Sequence, residues 1–265
     1  MTSAQATSDY LDRAAANNPA INADFTIRGW FRVNSYSMGD FSSLFRSVDG
    51  TSFSEAFGIA IRNNGVIRAF VYRDLGGGSN THEIFTGSDT DWHFYALTHD
   101  GGTTNYTFYW RDEGEASLNS QVISAPGSVE LTLATTAGIF IDADAAPDAQ
   151  GRAFCWTDTL IDEATLLTLS TSLTTPAGSP HTFLDLDSAT NVEVNLGTGA
   201  NYVVHGTFGT AGDEPDASLG GGGGTDTTDH HVSTLSFPAL CRRPRNDNGK
   251  WTRSQGGLYV PKRAA

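Results

Sequence analysis

Apolar and polar residues alternate along most of the chain after residue 25, with the period of two that is typical of half-buried β-strands. In residues 25–33, every second residue from Phe25 to Val33 is apolar or glycine. Strand-like runs also occur at 41–48, 57–62, 66–73, 81–85, 92–99, 105–111, 138–141 and 151–156. Short spacings without long helices between the runs predict antiparallel meanders and Greek keys rather than βαβ units.

Turn-forming residues lie between these runs. Asn63-Asn64-Gly65 separates two of them, and Asp100-Gly101-Gly102 follows another. Both sequences predict tight hairpins, because Asn, Asp and Gly adopt positive φ at low cost. The one predicted helix covers Asp162–Leu169, where Asp162 can cap the first turn. The pattern therefore predicts an all-β domain with a single short helix.

The character of the chain changes after Phe208. Five consecutive glycines, Gly220–Gly224, lie within a polar stretch that predicts a flexible linker over residues 212–229. Residues 230–265 contain scattered apolar side chains that follow neither the period of a strand nor that of a helix. They are too few to build a core. We therefore expect a β-sandwich over residues 1–211, a Gly-rich linker over 212–229 and an extended basic C-terminal arm over 230–265.

Six segments occur in a specific order: Tyr10-Leu11, FTIRGWFRV at 25–33, the pair GIAI and VIRAFVY around 63–65, WHFYALTHDGG at 92–102, TNYTFYW at 104–110, and GRAFCWTDTLIDEATLLTL at 151–169. Together they resemble the laminin G-like, concanavalin A-like jelly-roll family as found in bacteriophage virion proteins. The resemblance implies a two-sheet antiparallel jelly roll of about twelve strands, in which Tyr10-Leu11 pairs with Phe183–Leu186. It also implies binding to glycans or proteins, in some members with calcium.

The distribution of charge limits the partners of this chain. The formal net charge is −14, yet residues 242–265 hold seven of the 16 basic residues and one of the 30 acidic ones. An acidic body repels phosphate backbones, so we expect no nucleic acid to bind it. We also expect no membrane partner, and synthesis in a host cytoplasm, because neither an apolar span nor a signal-peptide pattern is found.

Catalytic and metal-binding candidates are few. Glycan hydrolases of the resembled family carry Glu-x-Asp-x-x-Glu, in which paired carboxylates act as nucleophile and acid. That string does not occur here, so we expect no enzymatic activity. Asp142, Asp144 and Asp148 form a weak calcium candidate in one loop. A solvated acidic loop is the favoured interpretation, because a mid-loop glycine and a closing glutamate are missing, and we expect no metal and no cofactor.

The aromatic residues allow two interpretations. Trp30, Trp92, Trp110 and Trp156 lie within strand-like runs, which favours core packing over stacking on a sugar ring. The loop aromatics Tyr36 and Phe53 are the better candidates for a glycan contact. Cys155 lies in an apolar run, and we expect it to be a buried free thiol.

The C-terminal arm is expected to dock on a partner protein. Its candidate contacts combine basic groups with large apolar anchors: Arg242, Arg243, Arg245, Trp251, Leu258, Tyr259 and Val260. The leading hypothesis is a capsid decoration or cement protein on the virion surface. The arm would bind major capsid or other virion subunits, and the lectin-like sandwich would face outward. The alternative is a free or tail-fibre module that binds cell-surface glycans, and a homo-oligomer is compatible with either.

Overall fold

The computed structural model describes residues 2–3, 9–36, 42–49, 55–73, 78–85, 89–126, 131, 135–140, 148–178, 180–186, 192, 194–209 and 214–219. The chain separates into two units, Met1–Gly222 and Gly223–Ala265. All of the described residues belong to the first unit.

Strands dominate the described residues. They are β1 (Thr2–Ser3), β2 (Tyr10–Arg13), β3 (Phe25–Ser35), β4 (Ser42–Asp49), β5 (Glu55–Ile61), β6 (Val66–Arg73), β7 (Gly78–Phe85), β8 (His93–His99), β9 (Asn105–Asp112), β10 (Asn119–Ser124), β11 (Thr135–Ile139), β12 (Asp148–Thr157), β13 (Thr182–Leu184), β14 (Val203–His205) and β15 (Phe208–Gly209). One α-helix, α1, covers Glu163–Ser170, and a 3-10 turn covers Ala15–Asn17. None of the helices in this part of the chain has the length and apolar character needed to span a membrane.

The strands form two antiparallel sheets that pack face to face. The eight-stranded sheet has the order β10-β9-β8-β3-β12-β1-β15, with β13 paired to β12, and the seven-stranded sheet has the order β14-β2-β11-β4-β5-β6-β7. All of the described strand pairs are antiparallel. The predicted all-β, two-sheet antiparallel sandwich is therefore confirmed.

The main core lies between the two sheets. Phe25, Ile27, Phe31 and Val33 on one face of β3 are at most 3% exposed, as the alternation predicts. Phe25 stacks on Phe57 of the facing sheet, with 5.1 Å between the ring centroids. Burial of each large apolar side chain contributes about 1.5–3 kcal/mol, so these inward faces are the main source of stability.

The outer face of the eight-stranded sheet is buried as well. Trp30 and Arg28 on this side of β3 are 0% and 2% exposed. Helix α1 packs here through Leu166, which is fully buried. The helix begins as predicted at Asp162, whose carboxylate accepts a hydrogen bond from the Thr165 backbone N–H at 2.9 Å. The residues on the outer side of β3 therefore face a covering layer that includes α1, and not solvent.

Arg111 fixes the end of the body to this outer face. Its guanidinium lies 4.8 Å from the centroid of the Trp30 ring. It donates hydrogen bonds to the hydroxyl and carbonyl oxygens of Ser170 (2.8 and 3.2 Å) and to the carbonyl oxygens of Ala217 (2.8 Å), Glu115 (2.9 Å) and Ser218 (3.3 Å). Pro215 and Ala217 are buried. Residues 214–219 therefore pack on the sandwich, although the sequence analysis places them in the linker.

Both predicted hairpins are present. Strands β5 and β6 are joined through residues 62–65, and β8 and β9 through residues 100–104. Gly65 and Gly102 have φ values of 79° and 78°. Glycine adopts this left-handed region without strain, which is why the turn sequences predict these two connections correctly.

The pairing of the chain ends differs from the expectation. Tyr10-Leu11 belongs to β2, which pairs with β11 and β14. Phe183 belongs to β13, which pairs with β12 in the other sheet. The predicted pairing of Tyr10-Leu11 with Phe183–Leu186 is therefore wrong. Two further short strands, β14 and β15, follow β13, and β14 takes the position beside β2.

Cys155 lies on β12 under the covering layer. It is 2% exposed and is a free thiol, which confirms the prediction from its apolar neighbours. Burial raises the pKa of the Cys155 thiol, although the nearby Arg28 opposes this effect. The residue is therefore a small, protonated component of the packing at neutral pH.

Candidate functional site

The two sheets meet along one edge of the sandwich, where β7 lies beside β10. The Asn80 side chain on β7 donates a hydrogen bond to the Ser124 carbonyl oxygen on β10 at 2.7 Å. Among the described strands, β7 pairs only with β6 and β10 only with β9. Side chains from the two inward faces can therefore reach solvent along this edge.

A column of stacked aromatic rings extends from the core to this edge. The distances between ring centroids are 5.8 Å for His93–Tyr95, 6.0 Å for Tyr95–Phe108, 5.2 Å for Phe108–Trp110 and 5.1 Å for Trp110–His82. The interplanar angles lie between 19° and 29°. Because each ring restricts the next, Trp110 and His82 are held in a defined orientation at the outer end of the column.

Trp110 differs from the other three tryptophans that the sequence pattern places in strand-like runs. Trp30, Trp92 and Trp156 are 0%, 2% and 0% exposed, which confirms the core role predicted for them. Trp110 is only half-buried, and it packs against the periphery of the core. Within the described part of the chain, no group accepts a hydrogen bond from its indole N–H. Trp110 thus combines a fixed ring with a free donor.

Two amide side chains flank this tryptophan. In the pairing of β9 with β10, Asn119 lies opposite Trp110 and Gln121 lies opposite Phe108. Directly opposed residues share one face of a sheet, and both amide residues are exposed. Ile84 of β7 packs against the core from the facing sheet. We call the following residues the edge site: His82, Ile84, Trp110, Asn119 and Gln121.

Carboxylates collect at one end of the edge site, beginning with Asp112, which follows Trp110 by two residues on the same strand. His93 Nδ1 is 2.8 Å from Asp112 Oδ1, and His93 Nε2 is 3.7 Å from Asp89 Oδ2. The hydrogen bond with His93 lowers the pKa of Asp112, whereas burial and the neighbouring Asp89 carboxylate raise the pKa of Asp91. Glu115 accepts a hydrogen bond from the Asp112 backbone N–H at 2.9 Å. This end of the site is therefore acidic.

No family model matches the sequence, and no curated protein matches it. Solved structures are similar to it at TM-scores below 0.5. Domains LG4-5 of the mouse laminin α1 chain match with a TM-score of 0.45 and 9% identity, over 61% of this chain and 42% of that chain. The binding domain of botulinum neurotoxin serotype C1 matches with a TM-score of 0.43 and 17% identity, over 59% of this chain and 38% of that chain.

A Ruminococcus gnavus domain, the CBM40 of its IT-sialidase bound to α2,3-sialyllactose, matches with a TM-score of 0.45 and 11% identity. This match covers 64% of this chain and 96% of that domain. The present chain spans less than half of the laminin and toxin fragments. At this level of similarity, the matches assign no family, ligand or activity to the protein.

The edge site can bind a polar ligand that has a flat apolar side. An aromatic ring face packs against C–H groups, while amide, indole and imidazole groups exchange hydrogen bonds with hydroxyls. The supporting residues lie on paired strands, so little conformational freedom is lost when a ligand binds.

The aromatic candidates from the sequence occupy other places. Tyr36 is 9% exposed, and its hydroxyl donates a hydrogen bond to the Asp89 carbonyl oxygen at 3.1 Å. The ring of Tyr36 is therefore packed and not presented for stacking on a glycan. Phe53 lies outside the described residues. The structure instead brings Trp110 to the surface, a residue that the sequence pattern places in the core.

The calcium candidate is only partly within the described residues. Asp142 and Asp144 lie outside them, and Asp148 accepts a hydrogen bond from the Asn34 side chain at 3.0 Å. The part of the chain that the structure describes contains no group of three His, Cys, Asp or Glu side chains placed to hold a metal ion. That calcium is dispensable stays a prediction.

The docking arm also stays a prediction. All of its candidate contacts lie outside the described residues: Arg242, Arg243, Arg245, Trp251, Leu258, Tyr259 and Val260. The edge site is built by other residues, of which Asn119 and Gln121 were missed. Each face of their strand, NSQVIS, carries two polar residues and one apolar residue, so alternation does not reveal it.

We expect acid to destabilise the protein through two partly buried histidines. Burial lowers the pKa of His82, and burial together with Arg13 lowers the pKa of His181. Below their usual pKa of 6.5 the unfolded chain therefore binds more protons than the folded chain, and stability falls as the pH falls. Melting temperatures between about pH 7.5 and pH 5.5, a range in which carboxylates stay ionised, should show this loss. The double substitution His82→Gln and His181→Asn should flatten the profile, and an equally steep profile in that variant would contradict the assignment.

Proposed function

We propose that this protein is a non-catalytic glycan-binding module that holds a sugar ring at the edge site. The observation that carries the proposal is the half-buried Trp110, stacked on His82 at 5.1 Å and flanked by the exposed amide side chains of Asn119 and Gln121. Pyranose rings have an apolar face of C–H groups and a rim of hydroxyls. These two features match a ring platform bordered by hydrogen-bonding side chains.

The arrangement supports recognition of a ligand more than structural packing alone. Trp30, Trp92 and Trp156 are enclosed by the packing around them, whereas Trp110 leaves part of its side chain outside the core. The Gln121 side chain donates one hydrogen bond to the Val122 carbonyl oxygen at 3.1 Å, and its second N–H, its oxygen and the exposed Asn119 amide are available to a partner. Binding of one sugar there would cover the ring and satisfy several of these groups.

Glycan binding by the full-length chain is tested with a broad glycan array followed by calorimetry on the strongest hits. Trp110→Ala should then weaken binding about tenfold to a hundredfold, because the buried ring face contributes roughly 1.5–3 kcal/mol. Trp110→Phe should retain part of the affinity through the remaining ring.

The matched control is Tyr109→Ala, which removes the neighbouring aromatic side chain of β9. Tyr109 lies on the opposite face of the sheet, against the cluster around Trp30. The Tyr109→Ala substitution should leave the glycan affinity within about twofold of that of the wild type. Equal losses in Tyr109→Ala and Trp110→Ala would show that binding is lost through the fold and not through the edge site.

A place on a virus particle is a second proposal, and it rests on the sequence alone. The basic arm after an acidic body would suit attachment of the sandwich to capsid subunits through charge and apolar anchors. The same array separates the two proposals. Strong and selective glycan signals favour the binding module, whereas an array without signals, together with copurification of the protein with assembled particles, favours decoration.

A further inference from the structure

The charged groups around the edge site bear on the choice of glycan, and the inference drawn from them rests on the proposed glycan binding. Asp112 stands next to Trp110, with Glu115 at its backbone N–H and Asp89 on the other side of His93. Two carboxylates therefore flank the His93 imidazole at this end of the site, Glu115 lies beside Asp112, and Asp91 adds a fourth carboxylate beside Asp89. An anionic ligand on Trp110 would enter a region of negative potential.

The nearby cations do not reverse this potential. Arg68 lies on the outer face of the seven-stranded sheet, where its guanidinium binds Glu83. Arg111 lies on the outer face of the eight-stranded sheet, with its donors on carbonyl and hydroxyl oxygens, and its charge interacts with the carboxylates of Asp216, Glu115 and Glu113. Arg32 attracts Asp91, but it too lies on the outer side of β3, in line with Trp30. Within the described residues, the inward-facing positions of β7, β8, β9 and β10 carry no Lys or Arg.

The groups that do face the ligand are uncharged. Asn119 offers an amide donor and acceptor, Gln121 offers its amide oxygen and the N–H that is not bonded to the Val122 carbonyl oxygen, and the Trp110 indole offers a donor. Burial lowers the pKa of His82, so its imidazole is neutral at pH 7 and also provides both a donor and an acceptor. These uncharged groups can exchange hydrogen bonds with the hydroxyls of a sugar. They provide no positive charge to pair with a carboxylate or sulfate on the ligand.

We infer that the edge site binds uncharged saccharides and discriminates against sialylated, uronic-acid and sulfated ones. The discrimination comes from the carboxylates of Asp89 and Asp112, which repel the ligand's anionic group. It is electrostatic and long in range, so it acts even where the anionic sugar would fit sterically.

Two matched pairs of probes test this inference with the full-length wild-type protein. The first pair is lactose and α2,3-sialyllactose. The second pair is an oligomer of glucose and an oligomer of glucuronic acid with the same linkage and length, which differ only in the carboxylate. In low salt, the neutral member of each pair should bind at least about fivefold more tightly. Raising the ionic strength to about 0.5 M should reduce this ratio, because the repulsion is screened.

A charge variant separates repulsion from shape. Asp112→Asn keeps an oxygen that can accept a hydrogen bond from His93 and removes one carboxylate next to Trp110. It should reduce the neutral-to-anionic ratio about twofold or more in low salt. Glu83→Gln is the matched control, because Glu83 lies on the outer face of β7 and pairs with Arg68; its ratio should stay at the wild-type value.

The outcomes are distinct. Anionic probes that bind as tightly as the neutral ones, or more tightly, overturn the charge selection and leave the proposed glycan binding intact. A preference for neutral probes that is independent of salt and of Asp112→Asn overturns the electrostatic origin. Absence of binding to every probe and to the whole array overturns both the inference and the proposed function.

Discussion

Replacement of Arg111 by alanine should lower the free energy of unfolding by about 3–5 kcal/mol. The side chain is fully buried, and it makes five hydrogen bonds that join β9, the end of α1 and residues 214–219. Its removal leaves the carbonyl oxygens of Ser170 and Ala217 without this donor and removes the cation–π contact with Trp30. Equilibrium unfolding in urea measures the change.

Two other variants show whether the geometry of the Arg111 guanidinium is responsible for its contribution to stability. Arg111→Lys keeps the charge but cannot present several donors in a plane, so most of the stability should still be lost. Arg68→Ala removes an arginine from a partly exposed ion pair with Glu83 and should cost no more than about 1 kcal/mol. If Arg111→Ala costs no more than Arg68→Ala, Arg111 does not anchor residues 214–219.

Replacement of Trp156 by alanine should cost about 3–5 kcal/mol. The ring is fully buried between the sheets and contacts three phenylalanines, with centroid distances of 6.0 Å to Phe25, 5.7 Å to Phe45 and 6.3 Å to Phe57. Its loss removes buried apolar area from both sheets and leaves a cavity that the paired strands cannot close. Thermal or urea unfolding gives the measurement.

Trp156→Phe is the informative companion substitution. No group in the described residues accepts a hydrogen bond from the Trp156 indole N–H. Phenylalanine removes this unpaired donor and keeps most of the aromatic surface, so the cost should stay below about 1.5 kcal/mol. A loss as large as that of Trp156→Ala would show that the volume of the indole, and not its apolar contact, is what the core requires.

Local patterns in the sequence predicted the main elements of this fold. The alternation in residues 25–33 gave the inward face of β3, the turns around Gly65 and Gly102 gave two hairpins, and Asp162 gave the start of α1. Each of these depends on residues close together in the chain, whose conformational preferences are set by their own side chains. The polar strand β10 carries no such signal and was missed.

The pairing of segments that are far apart in the chain could not be predicted from local sequence patterns. The position of β14 beside β2 depends on residues about 190 apart in the chain, and the resemblance to a family suggested another partner. Backbone hydrogen bonding is similar for any two strands of suitable length. The choice of partner is therefore made by the packing of the whole sandwich, and not by either strand alone.

The candidate site shows the same difference between what local sequence patterns predict and what tertiary packing decides. The sequence determined that Trp30, Trp110 and Trp156 lie on strands, because period-two patterns assign each residue to a face of its own strand. Only the tertiary structure decided which faces are covered: α1 lies over Trp30, both sheets enclose Trp156, and Trp110 lies at the edge beside His82. The physical reason is that burial depends on contacts with segments far away in the chain, and a local pattern contains no information about which of them will arrive.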